Sequence, residues 1–356
     1  AAELLRQAGV NFRRAERLVA LARRSMTAFL RSISRNPARQ KPAWLTDTDT
    51  AAILAPLVLV GAWEDGNERD VEHVQTFVDQ PMTDIRDGLI RLSQQADAPF
   101  MQSGGLWRLV DPVDAARLLL PRLEHEVFQR WEVFVRGALL ADDPYRSLDT
   151  AERLRAQLQG VHPGQSETLR KHTAEGLVLA ALSSDELARA ASGIVKRLLD
   201  DAFADDTGQV LGTLAPALPV LAEAAPDEFL TVVSADLSKS SPTARTLFRD
   251  SEKGTFGPSS LHPDLLWALE NLCWSSDYYG RSAMALAALV DVDIDRDDRR
   301  GNRPIESLEK ITVGWTTQSA ANIDDKIKVI QAINRRYPEV GWELTLLLLQ
   351  PSHSSI

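Results

Sequence analysis

The chain has 356 residues, enough for two or three domains and a sizeable core, and its formal net charge of -10 argues against a general nucleic-acid-binding or membrane-surface protein. A single cysteine, Cys273, excludes an intramolecular disulfide framework and a cysteine-ligated zinc site. No apolar run is long enough to cross a bilayer, so a cytoplasmic protein without membrane partners is expected.

The charge is unevenly spread. Residues 1–41 hold ten Lys or Arg against two acids, so a basic arm precedes an acidic body. The arm reads as helix from Ala1 to about Arg35, with breaks near Gly9-Val10-Asn11 and Ser25 and an end at Asn36-Pro37. Treated as one helix, Phe12 to Arg35 gathers Arg13, Arg17, Arg24, Arg31 and Arg35 into one stripe, opposite Leu18, Ala22, Met26, Phe29 and Ile33. That stripe is either a solvated face or a surface for phosphate or an acidic partner, and a cap at Ser25 would break it in two. The chain starts at Ala1 in what reads as the middle of a helix, which suggests a fragment of a larger protein.

Residues 44–111 read as a winged helix-turn-helix unit. Three helices are expected at Ala51–Trp63, Glu68–Val78 and Met82–Gln95, with Thr50 and Asn67 as caps, Pro56 inside the first and Pro81 before the third. Two short strands, Pro99–Gln102 and Trp107–Val110, flank Gly104-Gly105, a hairpin signal because such turns need positive backbone torsions. The charges do not suit DNA. The third helix carries Asp84, Arg86, Asp87 and Arg91, the wing tip has no cation, and Glu64, Asp65, Glu68, Asp70 and Glu72 crowd the preceding turn and helix. A structural or regulatory unit is expected, with a DNA-binding regulator using the arginine-rich arm as the alternative.

From Pro112 onward the pattern gives helix after helix. Expected helices are 113–120, 126–140, 150–158, 166–182, 185–203, 218–225, 227–237, 241–248, 263–273, 278–289, 304–312, 323–337 and 340–349. Short connections favour antiparallel neighbours, and no fixed repeat period emerges. The fold class is therefore mainly α: a lid-like helical arm at 1–43, a small winged-helix domain with a β wing at 44–111, and an irregular helical array at 112–356. Such arrays usually offer a surface to protein partners. Trp267, Trp274, Trp315 and Trp342 are expected to weld the last helices into a block.

Catalytic and metal signatures are missing from the sequence. There is no G-x-x-x-x-G-K-[ST], no G-x-S-x-G and no H-E-x-x-H. The six histidines are scattered, and Glu124-His125-Glu126 reads as a solvated helix start. Asp291-Val292-Asp293-Ile294-Asp295 alternates like a calcium loop, but Arg296 stands where that loop needs glycine and Asn302 where it needs glutamate. No metal and no catalytic residue is assigned.

Several stretches together resemble the region that follows the nucleotide-binding module of large bacterial STAND-type P-loop NTPases, the class that includes antiphage-defence proteins. They are Arg24–Arg31, Pro42-Ala43-Trp44, Leu59–Trp63 and Gly104–Val110, joined downstream by Leu265–Glu270, Gly301–Pro304 and Glu339–Trp342. The resemblance implies the end of a helical lid, a winged helix used for autoinhibition and oligomer contacts, and a helical sensor. It also implies that Arg24 or Arg31 senses a nucleotide phosphate, while ATP, magnesium and the Walker motifs belong to the parent protein. On this reading the region is non-catalytic and its partners are another protein or a second copy.

Overall fold

The computed structural model describes residues 9–36, 41–46, 48–95, 97–141, 164–248, 260–292, 302–313 and 319–349, with a few single positions besides. Among these residues the protein is mainly α-helical, with one small three-stranded sheet followed by an array of helices. The chain divides into two compact units, residues 1–138 with 164–188, and residues 139–163 with 189–356.

The first unit opens with α1 (Phe12–Arg24) and α2 (Met26–Ile33). Asn11 caps α1 by accepting from the Arg14 amide, and Ser25 caps α2 by accepting from Ala28 N at 3.1 Å. Ser25 has an extended backbone (φ -152°, ψ 110°). The arm is therefore two helices, and the continuous arginine stripe does not form.

Next come α3 (Thr48–Val60), β1 (Ala62–Glu64), α4 (Glu68–Val78), α5 (Met82–Ser93), β2 (Phe100–Ser103) and β3 (Leu106–Leu109). Helix α3 runs through Pro56, already includes Thr50, and is buried at every position from Leu54 to Val60. Gly61 (φ 76°) ends it. Trp63, expected in that helix, instead stands in a strand, directly opposite Trp107. The sheet order is β1-β3-β2, antiparallel throughout, so the central strand is the last one made. Ser103 pairs with Leu106 across Gly104-Gly105, whose φ values of 60° and 82° supply the two positive torsions of a tight hairpin. Trp63, Trp107 and Phe100 pack with ring centroids 6.1 to 6.4 Å apart.

Three further helices belong to this unit: α6 (Pro112–Leu119), α7 (His125–Leu139) and α8 (Glu167–Ala181). Helix α8 lies against α3 and β1 at unusually short range. A Cβ on Gly176 would stand 2.2 Å from the Leu59 carbonyl oxygen, and one on Gly61 would stand 2.9 Å from the His172 Cβ. The entry to α8 is fastened by the buried Asp70. Its carboxylate accepts from Glu64 N (2.9 Å), Ser166 N (2.7 Å) and Ser166 Oγ (2.6 Å), while Ser166 Oγ also caps α8 by accepting from Leu169 N. His73, one turn further along α4, is stacked on Phe134 and donates from Nε2 to the Phe134 carbonyl at 2.7 Å.

The second unit contains most of α9 (Asp185–Ala204), then α10 (Gln209–Leu214), α11 (Leu218–Ala224), α12 (Pro226–Leu237), α13 (His262–Leu272), α14 (Ser276–Val292), α15 (Pro304–Thr312), α16 (Ile323–Arg336) and α17 (Pro338–Leu349). Helix α10 has no counterpart in the sequence reading, because six residues after Gly208 are too few to show a period. Residues 243–248 form a 3-10 helix held by Asp236, which accepts from Thr243 N and Ala244 N. The helix expected at 150–158 falls largely outside the described residues, as do Asp293–Asp295 and Trp315.

The expected tryptophan block is overturned. Trp267, Trp274 and Trp342 are 48%, 55% and 64% exposed, whereas Trp44, Trp63, Trp107 and Trp131 are buried in the first unit. Helical spacing places a side chain on a face; it does not say whether that face is covered.

Two outcomes are expected. Gly176→Ala forces α8 away from α3, an overpacking cost of about 1 to 3 kcal/mol, and should lower the melting temperature by several degrees. Gly88→Ala, with nothing within 4 Å of the added carbon, should leave it unchanged or raise it. The second concerns pH. Burial holds His73 below its ordinary pKa, so between about pH 6.5 and that lower value the unfolded chain binds more protons than the folded one. Stability should therefore fall on acidification through this window, and His73→Gln should flatten that slope in urea midpoints measured against pH. Burial raises Asp70, so its folded form takes up a proton before the unfolded chain does and offsets the loss at lower pH.

Candidate functional site

The basic arm meets the small unit behind it through a short apolar contact and an ion-pair clasp. Leu21 and Ala28 are buried with Val110, and Phe29 and Met101 pack at the edge. Beside them Arg31, in the last turn of α2, extends to two carboxylates. Nη1 donates to Asp97 Oδ2 at 3.0 Å and Nη2 to Asp114 Oδ2 at 2.9 Å, and the arginine side chain is only 9% exposed. Two donors of one planar guanidinium thus bind two separate segments, the turn before β2 and the first turn of α6.

Each partner is positioned by the local chain. Asp97 offers its backbone carbonyl to Trp44 Nε1 at 2.8 Å, which ties the turn to the 3-10 helix at Ala43–Thr46. Asp114 stands in the first turn of α6, capped by Asp111, and also accepts from Arg117 Nη2 at 2.9 Å. A carboxylate in a first helical turn is favoured by the helix dipole. Arg17, on α1, approaches Asp111 at 3.9 Å. Arg17, Arg31 and Arg117 therefore face Asp97, Asp111 and Asp114, and the cluster balances. A small cavity lies between Ala28, Arg31, Trp44, Pro99, Asp111 and Asp114, and Arg31 Nε is buried beside it without a hydrogen-bond partner.

Of the two arginines singled out as nucleotide sensors, Arg31 is thus clasped by carboxylates. Arg24 ends α1, and its side chain lies outside the described residues. Sequence reasoning missed the three acids. Asp111 before Pro112 is a legible helix start, but nothing in the sequence pairs it or its neighbours with an arginine some eighty residues earlier.

Other polar groups look structural. His262 is buried between Ser260 Oγ and the Asn302 carbonyl, 2.8 Å from each, and stacks on Phe248. Burial pushes the Cys273 thiol up to about 12, so it is not a thiolate nucleophile at neutral pH. Lys326 is buried with its ammonium on the Val313 carbonyl, and burial lowers its pKa. Among the described residues no three His, Cys, Asp or Glu are grouped to hold a metal ion, and no helix is long and apolar enough to cross a membrane. His125 is exposed at the start of α7.

No protein-family model matches the chain, and no curated protein is similar to it. A solved structure, the crystal structure of an engineered protein, aligns with 94% of this chain and 75% of its own at 15% identity, with a TM-score of 0.25. A likeness that slight carries no argument about fold or function.

Arg31→Ala leaves two nearly buried carboxylates without their shared cation, a loss of about 1.5 to 3 kcal/mol. Arg35→Ala, on an exposed arginine, should stay within about 0.5 kcal/mol. Urea unfolding of both variants checks this, and a double-mutant cycle with Asp114→Asn should return a coupling above about 0.5 kcal/mol if the pair acts directly.

Proposed function

We propose that this chain is a non-catalytic regulatory and sensing region of a larger signalling ATPase of the STAND type. Residues 44–111 act as a winged helix, the arm is the end of the lid, and the helical array is the sensor. The observation that carries this reading is the Arg31 clasp, which joins the arm to the segments on either side of the β wing. An arginine held this way is available to a nucleotide phosphate only after it leaves Asp97 and Asp114. The two states exchange one charge-assisted contact for another, so their difference in free energy can be small enough for a ligand to decide. On this reading ATP and magnesium are bound by the parent protein, and the chain itself carries no G-x-x-x-x-G-K-[ST].

The local electrostatics favour this over the DNA-binding alternative. Arg86, on the helix that would enter a major groove, donates from Nε to Asp65 Oδ1 at 2.8 Å, and the acids at Asp84 and Asp87 offset the charge that remains. The wing tip at Gln102–Gly105 carries no cation.

In the longer protein, Asp97→Asn combined with Asp114→Asn is expected to open the clasp and raise basal oligomerisation or ATP turnover on the order of tenfold. Arg31→Ala should weaken nucleotide binding while Arg35→Ala does not. If all these variants match the native protein in nucleotide affinity and oligomeric state, the arm has no regulatory role. Sequence-selective duplex binding by the present chain at physiological salt, lost on Arg91→Ala, would transfer the assignment to a DNA-binding regulator.

A further inference from the structure

The second unit exposes tryptophan where a folded protein usually buries it. On α13, Leu265, Leu266, Ala268, Leu269 and Leu272 face inward, while Trp267 and Asn271 face out. The turn after α13 continues this outer face, because Trp274 N donates to the Asn271 carbonyl at 3.2 Å. Trp267, Asn271 and Trp274 stand at i, i+4 and i+7, one above another. The two indoles are 48% and 55% exposed, so they form an open aromatic ridge. Large aromatic side chains left on a surface are the residue type that most often anchors a protein interface.

The charge around the ridge indicates its occupant. From Leu261 to Gly280 the sequence contains three acids, Asp264, Glu270 and Asp277, and no Lys or Arg. Asp264 and Glu270 stand three residues before and after Trp267 on the same helix, on the neighbouring positions of its surface, and Asp277 stands in the first turn of α14, three residues after Trp274. Three cations on the following helices are engaged elsewhere. Arg281 is held on Asp227 at 2.6 Å, Lys328 on Asp325 at 3.2 Å, and the buried Lys326 on a backbone carbonyl. The backbone bond from Ala320 N to the Cys273 carbonyl brings the start of α16 alongside, with exposed Ile323 and exposed Asp324. The result is a pair of exposed indoles in a stretch whose charged side chains are all carboxylates, with exposed Ile323 and Asp324 on the helix that follows Ala320. An indole face attracts a cation through its quadrupole, and an adjacent carboxylate strengthens that attraction and sets where the cation sits.

We infer that the outer face of α13, built on Trp267 and Trp274 with their flanking carboxylates, is a docking surface for an arginine- or lysine-rich segment of a protein partner. The ridge gives the area, the indole faces receive the flat or extended cationic side chains, and the acids exclude acidic competitors. This assignment stands on the second unit alone and does not depend on the role of the arm.

The test is an array of 12-residue peptides graded from wholly acidic to arginine- and lysine-rich, probed with the whole purified chain. Binding should rise with basic content, weaken as salt increases, and fall on the order of tenfold in the variant combining Trp267→Ala and Trp274→Ala. Because each indole is roughly half covered, that variant should lose some melting temperature, so binding is compared at a temperature where circular dichroism shows both chains folded. Glu270→Gln with Asp277→Asn should reduce the salt dependence while leaving the indoles in place. Absence of binding to basic peptides, equal binding to acidic ones, or unchanged binding by the tryptophan variant overturns the inference. So does self-association of the chain that the tryptophan variant abolishes, which would make a second copy the occupant.

Discussion

The first unit depends on a buried carboxylate that cannot be left unpaired. Asp70 lies at the start of α4 and takes its hydrogen bonds from β1 and from the cap of α8. A charge in that position costs several kcal/mol unless its partners are close and well oriented, so the three elements hold together or fail together. Because Ser166 serves both Asp70 and the first turn of α8, the start of that helix is fixed at one residue. Once α8 starts there, its direction is set by the absence of side chains at Gly61 and Gly176, where two backbones come closer than any larger residue allows. The sheet, the helices around it and the returning helix form one cooperative body for that reason.

The arm is attached differently. Its apolar contact is small, and the main directional constraint is a single guanidinium shared between two carboxylates. A guanidinium that bridges two carboxylates has a defined geometry and a definite alternative in any competing anion. The contact of α8 differs, because Gly61 and Gly176 let two backbones approach without intervening side chains. The outer side of α2 leaves Met26, Leu30 and Ile33 exposed at i, i+4 and i+7.

Tryptophan divides the two units by use. In the first it fills space: Trp63 and Trp107 face each other across the sheet, and Trp131 is fully covered. In the second, the described tryptophans stand at the surface beside carboxylates. The same residue type therefore serves as core in one unit and as surface in the other, and only the neighbours distinguish the two.

What the sequence determined by itself is the local order of the chain. The helices at Glu68–Val78 and Pro304–Thr312 begin and end where caps, prolines and apolar spacing put them, because those signals act within a turn or two. Asn67, Ser25 and Gly104-Gly105 could be read for the same reason. Strand β1 could not, since three residues carry no period and become a strand only through pairing with β3, more than forty residues later. The clasp was half legible: Arg31 stood out in a basic arm, but its partners Asp97 and Asp114 lie 66 and 83 residues away in sequence. The exposure of Trp267, Trp274 and Trp342 was decided by the tertiary structure alone, because a helical pattern identifies which residues share a face and packing determines which faces are covered.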